Sequence, residues 1–337
     1  MHIPTVAGPV APDALGVTLM HEHVLSLSPG RFFSGGRWDD SVHLAERALG
    51  GLRDLGVRTL VNLTGRGGAG ASPDVGALRA VAERTGLAVV VGVSLYKEPF
   101  PDWVEASTPD RIADRLIAMA EAAGAGVFGE VGTSLNEITP REEKTLRAAA
   151  RAHRRTGLAI STHCTLGTMA LEQVSILREE GVDLPRTVIG HLDLAPNVDY
   201  IETVLRSQVT VAFDTFGKEW FDYQVPGSEG QGGGEFVKWA YRRTDSDRLS
   251  ALIELVRRGW AGQLVLSSDI SGREAYLNPD THGRHGYAFI HEMVLPTLQA
   301  AGVDESAIRA MLIDNPARVL TVPRRPAERD RVAGPSR

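Results

Sequence analysis

Histidines and carboxylates placed at the ends of apolar runs are the part of this sequence that can do chemistry. His21 and His23 stand one residue apart in Thr18-Leu-Met-His-Glu-His-Val24, after a short apolar run. In an extended strand, residues i and i+2 project from one side, so the two imidazoles converge where a metal ion can be held. Alone, a His-x-His pair is weak, because histidines also serve in ordinary strands and caps. Four more groups of ligating type follow, each closing its own apolar run. They are Glu130 in Phe128-Gly-Glu-Val-Gly, His163 in Ser161-Thr-His, His191 in Ile189-Gly-His and Asp269 in Leu266-Ser-Ser-Asp. Four imidazoles and two carboxylates form a mixed N/O set suited to Zn²⁺, Mn²⁺, Co²⁺ or Fe²⁺. Two ions can be held if one carboxylate bridges them. Each residue taken singly has an ordinary reading, a hydrogen-bonded core histidine or a capping aspartate. Six coincidences in register are much harder to explain that way.

The elements that must position these groups alternate along the chain. Strands are expected at Thr18–His23, Val57–Thr64, Leu87–Leu95, Gly126–Val131, Leu158–His163, Thr187–His191, Val209–Asp214 and Leu264–Asp269. Helices are expected at Ser41–Leu55, Asp74–Arg84, Thr108–Ala123, Thr139–Arg155, Leu166–Glu180, Val198–Ser207, Asp247–Gly259 and Tyr287–Ala301. Pro109 and Pro140, each just after a threonine, mark helix starts. Eight strands alternating with eight helices is the pattern of an α/β protein of the (β/α)₈ TIM barrel class. In such a barrel, functional groups gather at the C-terminal ends of the strands, where all six candidates fall. Residues 1–17 add a small N-terminal β extension, residues 1–323 form a single barrel domain, and residues 324–337 read as a disordered, Pro-containing tail. The Gly-rich stretch within 218–244 reads as a mobile loop at the active face.

Composition narrows the class of function. A chain of 337 residues with 43% hydrophobic and 23% charged residues describes a soluble globular protein. The net charge of −6, with no basic run, argues against nucleic-acid binding. No apolar span is long enough to cross a membrane, and the N-terminus lacks a signal-peptide pattern, so a cytoplasmic protein is expected. The single cysteine, Cys164, excludes an internal disulfide, and following His163 directly it faces the opposite side of its strand. It reads as a small buried residue. Glu22, between the two histidines, is likewise expected to point away and to be structural.

Taken together, the motifs resemble the amidohydrolase superfamily and, more narrowly, the phosphotriesterase family. The matching segments are Met20-His-Glu-His, Gly129-Glu-Val-Gly-Thr-Ser, Ser161-Thr-His, Ile189-Gly-His-Leu-Asp, Phe213-Asp-Thr-Phe-Gly-Lys, Leu266-Ser-Ser-Asp and Met311-Leu-Ile-Asp-Asn-Pro-Ala-Arg. The resemblance spans residues 4–321. Phosphotriesterase itself bridges its metals with a carboxylated lysine, but here no lysine lies between Lys97 and Lys144 and the position is held by Glu130. That is similar to the branch of phosphotriesterase homology proteins, and it implies metal binding that needs no bicarbonate.

The resemblance implies two divalent ions, zinc first, with His21, His23, Glu130 and Asp269 on one and Glu130, His163 and His191 on the other. It further implies a metal-bridging hydroxide that attacks a small-molecule substrate, with Asp269 as the catalytic base and then acid, and a homodimer. Lactones or carboxylic esters rank first as substrates, N-acyl amides second and phosphotriesters third. Lys218, Arg273, Tyr96, Arg66 and His285 are the expected substrate contacts. The loops after the second and seventh strands depart from the family pattern, which leaves the substrate open. The competing readings are a non-hydrolytic one-metal enzyme and a silent metal-binding barrel.

Overall fold

Short Val-, Leu- and Ala-rich runs, each stopped by a polar residue or a glycine, form eight parallel strands. They are β1 Val17–Glu22, β2 Val57–Asn62, β3 Ala88–Val93, β4 Val127–Thr133, β5 Ala159–Cys164, β6 Thr187–Gly190, β7 Thr210–Phe213 and β8 Leu264–Leu266. Neighbours in the sheet follow chain order throughout. Each strand is followed by a helix: α1 Trp38–Leu49, α2 Val75–Thr85, α3 Pro109–Ala123, α4 Pro140–Thr156, α5 Ala170–Glu179, α6 Val198–Leu205, α7 Asp245–Arg257 and α8 Leu295–Ala300. This is the (β/α)₈ barrel that the alternation implies. The computed structural model describes residues 1–25, 38–64, 74–218, 243–270 and 286–322. The expected mobile loop within 218–244 and the tail at 324–337 fall almost entirely outside them. Among the described residues no helix is long and apolar enough to cross a membrane.

Local chemistry sets the helix starts. Thr139 and Glu142 cap α4 reciprocally, each side chain accepting from the other's backbone N–H. Glu142 also accepts from the backbone N–H of Ser134 at 3.1 Å and from its hydroxyl at 2.6 Å, which ties α4 to the end of β4. Each strand contributes one residue, from Met20 on β1 to Val265 on β8, to a buried apolar plug that Ile3, Leu15, Val319 and Leu320 join. A second, larger layer lies between strands and helices and contains Cys164. The N-terminal extension pairs antiparallel with the chain's other end through His2 and Val322, and Ile3 pairs with Val10.

The observed elements depart from the expected ones in several places. The helix expected from Leu166 begins at Ala170, because Leu166 and Met169 take left-handed φ of 52° and 65° and make a turn first. The helix expected from Tyr287 is assembled from a 3₁₀ turn at Gly286–Ala288, a wide turn at Ile290–Val294 and α8. Residues 305–320, to which the sequence reading assigns no element, are helical. There Asn315 Nδ2 donates to the carbonyls of Ala261 and Leu264, both at 2.8 Å, which accounts structurally for the Asp-Asn-Pro-Ala-Arg motif.

The ring closes differently from the way it propagates. Strands β1 to β8 are joined by ladders, but among the described residues no ladder pairs β8 with β1. The seam is made just past β8 instead, where Asp269 N–H donates to the His21 carbonyl and His23 N–H to the Ile270 carbonyl, both at 3.0 Å. Ser267 Oγ accepts from His21 N–H at 2.9 Å. Glu22, turned away from the barrel axis, accepts from Ser267 Oγ at 2.7 Å, Ser268 N–H at 3.0 Å and Ile270 N–H at 2.8 Å. One buried carboxylate therefore grips Ser267, Ser268 and Ile270, the residues on either side of Asp269.

Candidate metal centre

Strand geometry brings all six candidate ligands to one volume. Glu130, midway along β4, is its centre. Glu130 Oε2 lies 3.3 Å from His21 Nε2, 3.1 Å from His163 Nδ1 and 3.1 Å from His191 Nε2, while Oε1 lies 3.5 Å from His23 Nε2. Asp269 Oδ1 lies 2.8 Å from His23 Nε2 and 3.6 Å from His21 Nε2. Its other oxygen, Oδ2, pairs with Lys218 Nζ. Two of the six stand just beyond their strands in left-handed backbone, His191 at φ 64° and Asp269 at φ 49°. Such a conformation costs on the order of 1–3 kcal/mol and persists only where surrounding contacts hold it. Gly190, just before His191, leaves room that no side chain could share, since a Cβ there would stand 2.4 Å from the Thr162 carbonyl oxygen.

A seventh residue, not singled out from the sequence as a functional group, organises the cluster. Asp214 at the end of β7 accepts from His21 Nδ1 at 2.8 Å with one oxygen. With the other it accepts from His191 Nδ1 at 2.9 Å and from the His191 backbone N–H at 3.0 Å. It is fully buried. These bonds fix which imidazole nitrogen carries the proton and turn both Nε2 atoms toward Glu130. The signal that could have found it is the one that found the others, an acidic residue closing an apolar run. His163 is held differently, with Tyr96 Oη at 3.1 and 3.2 Å from its ring nitrogens and Thr165 Oγ1 at 3.2 Å from Nε2. His23 Nδ1 meets Thr64 Oγ1 at 3.2 Å.

The electrostatics show what the cluster lacks on its own. Burial opposes charge on His21, yet Glu130 and Asp214 outweigh it and hold that imidazole protonated well above its usual range. Burial likewise opposes charge on His191, and Asp214 and Glu130 carry it to about 9. Burial raises the carboxyl of Glu130, but His21, His163 and His191 more than reverse this and hold it well below the usual carboxylate range. Asp269 behaves alike, burial being outweighed by Lys218 and the histidines. Converging carboxylates thus demand positive charge, and in the protein alone protons on imidazoles supply it. His21 Nε2 is buried with no hydrogen-bond partner, although two carboxylates face it. An orphaned imidazole nitrogen between carboxylates fits a divalent cation. Two sets of three potential donors meet that description, His21–His23–Glu130 and Glu130–His163–His191. A third, His21–His191–Asp214, is taken up by the hydrogen bonds just described.

Of the expected substrate contacts, Tyr96 reaches His163 and Lys218 reaches Asp269, so both stand at the cluster. Arg66, Arg273 and His285 lie outside the described residues. Cys164 faces the strand–helix layer, and burial pushes its thiol further from ionisation.

Comparison with known proteins agrees with this geometry. The model of the phosphotriesterase family matches residues 1–320. The chain is 31% identical to the phosphotriesterase homology protein of Escherichia coli over 313 residues, which is 90% of this chain and 98% of that one. A crystal structure of that relative, with phosphate in its active site, superposes with a TM-score of 0.77 at 30% identity, covering 92% of this chain and all (100%) of that one. An N-acetyltaurine hydrolase of Dictyostelium discoideum is 28% identical over 292 residues, 84% of this chain and 74% of that protein. A lactonase from Listeria monocytogenes superposes with a TM-score of 0.76 at 26% identity, covering 96% of this chain and 100% of that one. With its barrel, its cluster of buried imidazoles and carboxylates and its match over nearly the whole length, the chain belongs to the phosphotriesterase family of metal-dependent hydrolases.

Proposed function

We propose that this protein is a binuclear hydrolase that opens lactones or carboxylic esters. The observation that carries the reading is Glu130, one carboxylate within 3.5 Å of four imidazoles, with an orphaned nitrogen beside it. His21, His23, Glu130 and Asp269 would hold one ion and Glu130, His163 and His191 the other, zinc being the metal that this donor set suits first. Bound there, the ions supply Lewis acidity that lowers the pKa of water and polarises a carbonyl.

The chain's own groups do the rest. Glu130 keeps the imidazoles converged, and Asp214 fixes the orientation of two of them. Asp269 presents Oδ1 to the cluster, where it takes the proton that the attacking water gives up and passes it to the departing oxygen. Lys218 on Oδ2 keeps that carboxylate ionised between turnovers. A carboxylate so held is a weak base and, once protonated, gives its proton up readily to the departing group. An alkoxide needs less protonation to leave than an amine does, and lactones and esters are placed ahead of amides on that ground. A second reading, hydrolysis of an N-acyl amide, is supported by the likeness to an N-acetyltaurine hydrolase.

The test is metal content per chain by elemental mass spectrometry, after reconstitution with Zn²⁺ or Mn²⁺ in bicarbonate-free buffer. Two ions per chain are expected, with loss on Glu130→Ala. One ion or none overturns the binuclear reading. A panel of lactones, esters and N-acyl amino acids then ranks the substrates.

A further inference from the structure

Two of the segments that mark the family carry residues that the metal chemistry leaves unused. Asp193 lies in the turn Leu192–Leu194 just after His191, and Thr215 follows Asp214 directly. Asp193 is fully buried and accepts with Oδ2 from the Thr215 backbone N–H at 2.8 Å and from its hydroxyl at 2.9 Å. Arg248, on α7, is fully buried as well. Its Nη1 donates to Asp245 Oδ1 at 2.7 Å, and its Nε stands 3.8 Å from Asp193 Oδ2. Asp245 in turn accepts from the Gly217 backbone N–H, at 3.2 Å with Oδ1 and 3.0 Å with Oδ2.

One guanidinium thus stands between two carboxylates, and each carboxylate holds a backbone N–H of the same short turn. That turn runs from Thr215 to Lys218 and is closed by Lys218 N–H on the Thr215 carbonyl at 3.2 Å. Gly217 takes a left-handed φ of 82°, and a Cβ there would stand 3.2 Å from Phe289 Cγ, so the turn is boxed on another side too. What the turn delivers is the Lys218 ammonium, set on Asp269 Oδ2. As a stabilising device the charged cluster is poorly built. Asp193 Oδ1, Arg248 Nε and Arg248 Nη2 are buried without a hydrogen-bond partner, which costs free energy. Apolar packing of similar volume is often as stable as a buried ion network, or more so. A network that adds so little to stability, yet seizes one turn at two backbone positions, is explained by what the turn carries.

We propose that Asp193, Arg248 and Asp245 form a positioning unit that fixes Lys218 against Asp269, so that Asp269 keeps Oδ1 toward the ligand cluster. The three act through the Thr215–Lys218 turn and take no part in bond making. The inference rests on the hydrolase reading for what the Lys218–Asp269 pair does in turnover. How the pair is held rests on the geometry alone.

The experiment removes the three charges together, with Asp193→Asn, Arg248→Met and Asp245→Asn in one chain. This variant is compared with wild type and with Lys218→Met, each reconstituted with Co²⁺. Stability in denaturant and metal content are expected to match wild type, because balanced removal of buried charge is close to neutral and no candidate ligand is altered. The visible absorption of the Co²⁺ protein, which reports how the ligands surround the ion, is expected to change. On the lactone, ester or N-acyl substrate that wild type turns over best, kcat is expected to fall about tenfold with KM within about twofold. In a Lys218→Met background the same three changes are expected to lower kcat by less than about twofold further, since the group they position is gone. An unchanged spectrum or an unchanged kcat overturns the inference. So does a loss of metal, or of kcat in step with stability, which would make the cluster ordinary core. Losses that multiply in the Lys218→Met background overturn it as well. Should the triple variant fail to fold, Arg248→Lys carries the test, because a point charge cannot span both carboxylates as the guanidinium fork does. It is expected to change the spectrum and lower kcat to a lesser degree, and wild-type behaviour overturns the inference. If wild type turns over no substrate, the hydrolase reading falls, while the spectrum still decides how Asp269 is held.

Discussion

Two sides of the cluster are held by different chemistry. Toward β6, β7 and β1, His21 and His191 hang on one buried carboxylate, Asp214, with contacts of 2.8 and 2.9 Å. Toward β2, β3 and β5, the groups that meet His23 and His163 besides the ligand carboxylates Glu130 and Asp269 include the neutral hydroxyls of Thr64, Tyr96 and Thr165, at 3.1 to 3.2 Å. A charged acceptor bonds more strongly than a hydroxyl, fixes the tautomer and makes the far nitrogen a better donor to a metal. The contrast assigns rigidity and basicity to one side and adjustability to the other. The adjustable side is where Tyr96 and Lys97 stand.

The sharpest way to break this comparison is Asp214→Asn. An amide offers one acceptor oxygen, so one of the two imidazole N–H groups must then face an NH₂. Metal affinity is expected to fall about 10- to 100-fold, measured by chelator competition. The same variant changes the proton balance. In the metal-free protein the His191 imidazole is raised from 6.5 to about 9, so at pH 7 it carries a proton that an incoming ion must displace. A raised imidazole stabilises the metal-free fold fully below pH 6.5, and this contribution is lost as pH rises through about 9. Calorimetry in buffers of different ionisation enthalpy should therefore show proton release on metal binding at pH 7, and less of it in Asp214→Asn. Unchanged affinity and unchanged proton release would remove Asp214 from this role.

Why Asp214 escapes a sequence reading is instructive. Its contact with His21 spans 193 positions, and nothing in local spacing announces such a pair. The six convergent groups are legible because strand periodicity and strand ends are local properties, and the barrel then gathers the ends without further information. The register of His21 and His23 on β1 needs only a period of two. The start of α5 is not legible, because left-handed turns at Leu166 and Met169 use residues that carry no glycine or proline signal. The role of Asn315 depends on carbonyls more than fifty residues earlier in the chain, again a tertiary fact. Glu22 is intermediate: alternation says that it points away from the imidazoles, but not that it closes the ring.

That closure gives the next effect in size. Glu22 holds Ser267, Ser268 and Ile270, the residues around Asp269, whose backbone is left-handed. Glutamine keeps one acceptor oxygen and puts an amide nitrogen beside an N–H donor. Glu22→Gln is expected to cost about 1–3 kcal/mol of stability and about 3- to 10-fold in metal affinity. If Glu22 acts by setting Asp269, the affinity loss disappears when Asp269→Asn is already present, while the stability loss remains. Fully additive affinity losses would show that Glu22 is a seam residue without influence on the ligand it surrounds.

The smallest effect belongs to the hydroxyl side. Tyr96→Phe removes the phenolic oxygen from His163 but leaves Thr165 Oγ1, which is itself fixed by donating to the Thr133 carbonyl at 2.7 Å. His163 also keeps its 3.1 Å contact with Glu130. A neutral hydrogen bond contributes about 0.5–1.5 kcal/mol net, so metal affinity should change by no more than about tenfold and fall well short of the Asp214→Asn loss. The expected signature is therefore metal content unchanged in the reconstituted protein, with only a modest loss of affinity in chelator competition. A metal loss as large as that of Asp214→Asn would place His163 on the same footing as His21 and His191, and the two sides of the cluster would be chemically one.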